Sequence, residues 1–212
     1  MMPGADDVQR REDIIMTQLI EALSYPFVQR AIAAGVMISL CAALLGVILV
    51  LKRYSLIGHG LGDVGFASTS LAVALGLPVM AVSIPIVVVA ACLIMFWSQR
   101  SKTGGDTAIG MVATGALSIG VIITAMSSGF NVDVNGYMFG SILAMSRDDV
   151  VFSVVLSIVI LVLFILFYNR LFLITFDENF AKASGINVGF YQFLIALLTA
   201  LTVVMGMRMM GS

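Results

Sequence analysis

The sequence has little charge of either sign. Charged residues make up 11% of its 212 residues, and the net charge is −1. A nucleic-acid-binding domain normally carries a basic patch, and this composition offers none. Hydrophobic residues account for 60% of the chain and the mean hydropathy is +1.10, whereas a soluble domain is about half apolar and a quarter charged. The composition therefore indicates a multi-pass protein of the lipid bilayer.

Cysteine and histidine are also scarce, which excludes cysteine-rich metal sites and disulfide scaffolds. The two cysteines, Cys41 and Cys92, lie in apolar runs without a CxxC pattern, so we interpret them as small buried hydrophobic residues. The fourteen methionines are interpreted as packing material rather than as a thioether metal track. Residues 6–13 are rich in acids and arginines, unlike the basic start of a signal peptide.

Long apolar runs predict the architecture, because a membrane-spanning helix needs about 20 apolar residues. Residues 16–27 show helical spacing of apolar side chains, which predicts a short interfacial helix broken at Pro26. We therefore expect an all-α membrane protein with a polar segment and interfacial helix at 1–30 and a transmembrane domain at 31–212. The six predicted spans are 31–51, 56–76, 79–98, 108–127, 150–168 and 191–210.

Basic residues in alternate loops predict the orientation, because cytoplasmic loops are rich in lysine and arginine. By this rule the N-terminus is outside. The basic residues on the predicted cytoplasmic side are Lys52, Arg53, Arg100, Lys102, Arg170 and Lys182.

The predicted outer loop at 128–149 is acidic through Asp133, Asp148 and Asp149. These carboxylates either attract cations to an outer mouth or form an ordinary solvated loop, and Ser146 is a plausible helix cap beside them.

His59 and Asp63 are the most informative residues, because both lie within a predicted span. His59 is the only histidine. Residues four apart share a helix face, and ionisable groups at membrane depth are usually functional. Imidazole and carboxylate are ordinary ligands of divalent metals, although Zn²⁺ generally takes four ligands. The alternative is a mutually satisfied pair that holds two helices together.

The predicted cytoplasmic loop at 169–189 contains a short helix. Thr175 and Glu178 have the spacing of a capping box, and Gly185 is a natural helix stop. Phe176 and Phe180 would then lie on one side. From the residues alone, this helix is equally well explained as packing or as a docking surface for a cytoplasmic partner.

The glycines at 58, 60, 62 and 65 allow close helix approach or local unwinding. They do not form a phosphate loop, because no Lys-Ser/Thr pair follows them. The chain contains no Walker motif. If transport is active, ATP must be hydrolysed elsewhere, so we expect a transport subunit and not an enzyme.

Five segments together resemble the integral permease of zinc/manganese-type ABC importers. The resemblance runs from about residue 24 to the end of the chain. The segments are PFVQR at 26–30, VLKRYSLIG at 50–58, DTAIG at 106–110, FGSIL at 139–143, and TFD at 175–177 with Ala181 and Gly185.

The resemblance implies a homodimeric permease with the fold of the vitamin B12 importer type, in a bacterial plasma membrane. It implies ATP-binding cassette ATPase subunits and an extracytoplasmic metal-binding protein as partners, with no tightly bound cofactor and with Zn²⁺ or Mn²⁺ as the transported ion. The residues it assigns to the ATPase contact are Phe176, Asp177, Glu178, Phe180, Ala181 and Gly185.

Two departures from the family pattern stand out. The family places Asp after Ile-Gly and His four positions later, whereas here His59 comes first and Asp63 second. Each ligand type therefore moves by about one helical turn, roughly 5–6 Å. The family also continues for about two more spans beyond the position of Ser212, so we expect the chain to be C-terminally short.

Two other functions compete with this reading. One is a secondary cation transporter or channel that uses protonation of Asp63. The other is an intramembrane enzyme with His59 and Asp63 as acid and base, although Ser55 and Ser68 are not at a motif spacing. Metal ligation needs a neutral imidazole and an ionised carboxylate, so we expect metal passage to weaken in acid.

Overall fold

The computed structural model describes residues 21, 24–100, 105–126 and 147–210, without the side chains of 98–100, 147–149 and 208–210. Every regular element in this part of the chain is a helix, which confirms the predicted all-α class. The helices are α1 (Pro26–Leu51), α2 (Ile57–Ala74), α3 (Val79–Arg100), α4 (Gly105–Met126), α5 (Arg147–Phe176), α6 (Glu178–Ala183) and α7 (Val188–Met210).

Five described helices are long and apolar enough to cross a membrane, namely α1, α3, α4, α5 and α7. The predicted span at 56–76 corresponds to α2, which has 18 residues and is not among the five. Its glycines, its hydroxyl residues and the His59–Asp63 pair lower its hydropathy. Eleven of its residues are buried against neighbouring helices. A helix that is enclosed by protein does not need an apolar surface, so α2 can be both central and polar.

The helices form two groups that meet on α7. Helix α2 packs against α3 and α4, while α1 packs against α5. Helix α7 touches α1, α2, α3 and α5. In its most apolar stretch of 18 residues, 61% is buried inside the protein, compared with 17% for the corresponding stretch of α4. Helices α1 and α2 follow each other in sequence but make almost no direct contact.

Helix α2 packs closely against α4 because glycines occupy the positions where the two helices meet. A Cβ at Gly60 would lie 2.5 Å from Ile109 Cγ2. A Cβ at Gly120 would lie 2.8 Å from the Phe66 ring and 3.0 Å from the Cα of Ala67. Of the two roles that glycine allows here, the structure shows close approach, since α2 is continuous from its first residue.

Helix α5 is longer than the predicted span at 150–168, so the placement of 169–176 in a loop is wrong. The polar Asn169 and Arg170 suggested a helix end. However, Leu171 and Ile174 continue the buried face, and Arg170 Nη1 donates a hydrogen bond of 2.6 Å to Tyr191 Oη on α7. This bond gives the guanidinium group a hydrogen-bond acceptor at a point where α5 continues.

The first span also begins earlier than predicted. Pro26 stands at the first turn of α1, where its missing N–H costs nothing, so the span starts at 26 rather than 31. The predicted interfacial helix falls mainly outside the described residues.

Candidate functional site

His59 and Asp63 lie in the first two turns of α2. His59 Nε2 is 3.8 Å from Asp63 Oδ2, which is beyond hydrogen-bond distance. The exposed fractions of the two side chains differ, at 77% for His59 and 14% for Asp63. The carboxylate is thus enclosed by the helices, while the imidazole projects from them and is open to a second partner.

The described residues supply too few ligands to enclose a metal ion. They contain no group of three or more His, Cys, Asp or Glu side chains that could hold one. His59 and Asp63 would therefore need water, a backbone carbonyl or a second copy of the chain to complete a shell. The exposure of His59 leaves room for such a contribution.

Asp106 fixes the start of α2, a role that sequence reasoning missed. Its Oδ1 accepts a hydrogen bond of 3.2 Å from the backbone N–H of Leu56, the residue before α2. Beside it, Gly105 packs so closely on Tyr54 that an added Cβ would lie 2.7 Å from the ring. The beginnings of α2 and α4 are therefore tied together, and this tie positions the His59–Asp63 pair. The DTAIG segment contains Asp106 and was the available signal.

Buried hydroxyl groups join α2 to its neighbours further along. Ser68 Oγ donates to Ser83 Oγ on α3 at 3.0 Å. Thr124 Oγ1 on α4 donates to Ser70 Oγ at 3.0 Å. These pairs satisfy polar groups that would otherwise be costly in an apolar interior, so they fix the orientation of α2.

The short helix α6 has a specific capping residue at each end. Asp177 is its N-cap and accepts a hydrogen bond of 2.9 Å from Phe180 N, whereas Thr175 donates to the carbonyl of Leu171 within α5. The capping box from Thr175 to Glu178 is therefore wrong, because α5 continues to Phe176. The predicted stop at Gly185 agrees with the structure: its φ is +78°, a conformation that favours glycine.

The residues of the predicted ATPase contact have different environments. Ala181 is fully buried. Phe176 and Phe180 are more than half exposed, at 62% and 57%. Exposed apolar side chains of this kind mark either a protein contact or a lipid-facing surface.

Glu178 connects α6 to the membrane helices. Its Oε1 is 2.7 Å from Lys182 Nζ, and its Oε2 accepts a hydrogen bond of 3.1 Å from Gln192 Nε2 on α7. Lys52, just after α1, also lies within electrostatic reach. Burial lowers the pKa of Lys52 below its ordinary value, and the negative charge of Glu178 partly opposes this shift. One carboxylate therefore links α6, α7 and the end of α1.

The acidic outer mouth stays a prediction. Asp133 lies outside the described residues. Asp148 and Asp149 belong to the first turn of α5, but their side chains also lie outside the description.

A comparison with known protein families identifies the family to which this chain belongs. Residues 24–212 match the model of the ABC 3 transport family. The chain belongs to this family. The resemblance to an ABC transporter permease is thereby confirmed, as is the expectation of a multi-pass membrane transport component.

Two relatives in this family show the level of similarity. The manganese transport system membrane protein MntC of Halalkalibacterium halodurans is 29% identical over 191 residues, covering 90% of this chain and 65% of the relative. The high-affinity zinc uptake system membrane protein ZnuB of Haemophilus influenzae is 30% identical over 188 residues, covering 86% of this chain and 70% of the relative. The chain thus spans about two thirds of the length of these relatives.

Solved structures agree on the fold. PsaBC from Streptococcus pneumoniae, solved in complex with Fab, has a TM-score of 0.77 and 28% identity, and the match covers 92% of this chain and 71% of that chain. An ABC transporter solved in an inward-facing conformation has a TM-score of 0.73 at 17% identity, which supports the fold alone.

Proposed function

We propose that the chain is the membrane permease of an ATP-driven importer for Zn²⁺ or Mn²⁺. The observation that carries the proposal is the family match over residues 24–212, together with relatives named for manganese and zinc transport. A second copy of the chain, an ATP-binding cassette ATPase and an extracytoplasmic metal-binding protein complete the importer.

The ion passes along the face of α2 that carries His59 and Asp63. A transport site has to release its ion, so a small set of protein ligands completed by water suits passage better than a closed shell. The enclosed Asp63 provides the negative charge, and the exposed His59 can meet a residue of the second copy.

Movement of the ATPase reaches the membrane helices through α6. The exposed Phe176 and Phe180 contact the ATPase, while the buried Ala181 keeps α6 against the permease. Glu178 then transmits displacement to α7 through Gln192. Since α7 touches both helix groups, its movement changes their relative position.

Reconstitution of the complex tests the function. We expect the chain, assembled with its ATPase and binding protein in proteoliposomes, to accumulate Mn²⁺ or Zn²⁺ only when ATP is present. Uptake that needs no ATPase and collapses with a protonophore would instead support the proton-coupled transporter. The family match disfavours that alternative.

Loss of Glu178 should uncouple ATP hydrolysis from transport. We expect Glu178→Ala to reduce the metal transported per ATP about threefold to tenfold, because truncation leaves Gln192 without its charged acceptor. The matched control is Lys182→Ala, which removes the same ion pair but leaves the Gln192 bond. This exposed pair contributes about 0.5 kcal/mol, so the control should keep near wild-type coupling. Equal coupling in both variants would contradict this role of Glu178.

Phe180 should contribute to ATPase binding. We expect Phe180→Ser to weaken the permease–ATPase affinity about tenfold, because an exposed aromatic residue at an interface commonly dominates its energy. The control is Phe190→Ser, which removes a similarly exposed ring from α7. Affinity is measured with the labelled ATPase on permease in nanodiscs, and unchanged affinity for Phe180→Ser would refute the assignment.

A further inference from the structure

Arg170 on α5 is an exposed basic residue that has no acidic partner among the described residues. Its Nη1 donates the 2.6 Å hydrogen bond to Tyr191 Oη, and its Cζ lies 5.9 Å from the centre of the Tyr191 ring. Tyr191 is buried and packs edge-on against Phe167, with ring centroids 5.8 Å apart. The guanidinium group is therefore held by a neutral phenol, and only one of its five N–H donors is used in this bond.

The other basic side chains described at this end of the helices are placed differently. Lys182 forms an ion pair with Glu178, and Lys52 lies within electrostatic reach of the same carboxylate. Arg170 thus combines a fixed orientation with a positive charge that no described carboxylate compensates.

The position of Arg170 along α5 places it at the edge of the bilayer. Residues 150–169 carry no charge, and Asp149 precedes them. A helix of about 20 residues is about 30 Å long, which is the thickness of the hydrocarbon core. Arg170 therefore lies at the depth of the lipid phosphates. Helix α5 continues for about 9 Å beyond it to Phe176, which belongs to the surface assigned to the ATPase.

The face of α5 that leads from the bilayer centre to Arg170 is exposed and apolar. Leu166, one helical turn before Arg170, is 71% exposed. Val159 and Val155 continue this face toward the other leaflet and are about half exposed. A helix face that is apolar along its length and ends in a guanidinium group complements a phospholipid, in which acyl chains are joined to a phosphate.

We propose that Arg170 and the exposed face of α5 before it bind an anionic phospholipid of the leaflet nearest α6. The guanidinium group binds the phosphate, because its planar N–H donors match two phosphate oxygens at once. The acyl chains lie along Leu166 and Val159. Tyr191 is a positioning residue, since its hydroxyl holds one side of the guanidinium group and leaves the other donors for the lipid.

Tryptophan quenching by brominated lipids measures which lipid lies at this face. Trp97 is the only tryptophan, so Trp97→Phe combined with Leu166→Trp gives a single reporter one turn from Arg170. The full chain is reconstituted in vesicles of phosphatidylcholine and phosphatidylglycerol, with bromine on the chains of one lipid or the other. We expect phosphatidylglycerol to bind beside this reporter about fivefold more tightly than phosphatidylcholine. Arg170→Gln should remove this preference.

Two matched controls separate a defined site from general attraction to the vesicle surface. Arg53 is an exposed arginine just after α1, so Arg53→Gln removes the same charge elsewhere and should leave the preference at residue 166 unchanged. A reporter introduced as Val155→Trp lies on the same face, about 16 Å further from Arg170, and should show no preference.

The role of Tyr191 is tested with the same reporter. Tyr191→Phe keeps the buried ring and removes the acceptor of the Arg170 bond, so we expect the preference to fall to about twofold. A preference that stays fivefold in Tyr191→Phe would contradict the positioning role.

Each result decides the proposal. A preference at residue 166 that Arg170→Gln removes and Arg53→Gln keeps supports the lipid site. No preference, or one that survives Arg170→Gln, overturns it. Loss of the preference in millimolar inorganic phosphate would reveal a site for free anions and also overturns it. A reporter that neither brominated lipid quenches does the same, because a protein partner then covers this face.

A second variant covers the case in which Arg170→Gln does not fold. Arg170→Lys keeps the charge without the planar donors and should lower the preference to about twofold. A preference that stays fivefold in Arg170→Lys would then overturn the proposal. None of these measurements requires transport, so they stand independently of the proposed import function.

Discussion

We expect replacement of Asp63 with asparagine to lower ATP-driven metal uptake about tenfold or more, the typical scale for lost metal-site interactions. The substitution keeps the size of the side chain and removes its negative charge. Asp63 is the enclosed member of the pair, with 14% of its side chain exposed, so little water replaces the lost attraction for a dication. Uptake of radioactive Mn²⁺ or Zn²⁺ in proteoliposomes measures the effect.

The control for Asp63→Asn is Glu21→Gln, which removes one carboxylate charge from an exposed position and should leave uptake unchanged. His59→Ala belongs in the same series, because the proposed path uses both side chains. ATPase binding, measured in parallel, separates a lost ion path from a failed assembly. Wild-type uptake in both Asp63→Asn and His59→Ala would remove the pair from the mechanism.

The contact between α2 and α4 should fail when Gly120 becomes leucine. A Cβ at this position already lies 2.8 Å from the Phe66 ring and 3.0 Å from the backbone of Ala67, so the helices must separate to admit a longer side chain. Overpacking of this kind costs about 3 kcal/mol or more when backbone has to move. We expect a clear fall in the thermal unfolding midpoint of the purified protein and loss of uptake.

Gly115→Leu is the matched control for this change. It places the same side chain on the same helix, where an added Cβ meets nothing within 4 Å. Its unfolding midpoint should stay close to that of the wild type. Equal midpoints for the two variants would show that the close approach at Gly120 does not hold α2 and α4 together.

Much of the fold could be predicted because a bilayer imposes a strong requirement on composition. Five spans are apolar enough to be recognised from the sequence. The errors occurred where a contact overrides the local pattern. Arg170 suggested a helix end, yet its side chain bonds to Tyr191 and α5 continues to Phe176. The same continuation places Thr175 inside α5 and leaves Asp177 as the cap of α6.

The candidate site could be predicted only in part. Spacing places His59 and Asp63 on one face of α2, because helix geometry is local. Their unequal exposure depends on which helices surround α2, and no spacing rule contains that information. The roles of Asp106 and Glu178 depend on hydrogen bonds to Leu56 and Gln192, and only the fold brings these partners together.

The polar character of α2 has a consequence for how the protein is made. A segment that emerges from the ribosome is sorted into lipid by its own apolarity, and α2 falls short of the hydropathy that its five companions reach. We therefore expect it to enter the bilayer alongside α3 and α4, whose glycine and hydroxyl contacts replace the missing affinity for lipid. On this expectation, the insertion of α2 depends on the assembly of this trio rather than on the apolarity of α2 alone.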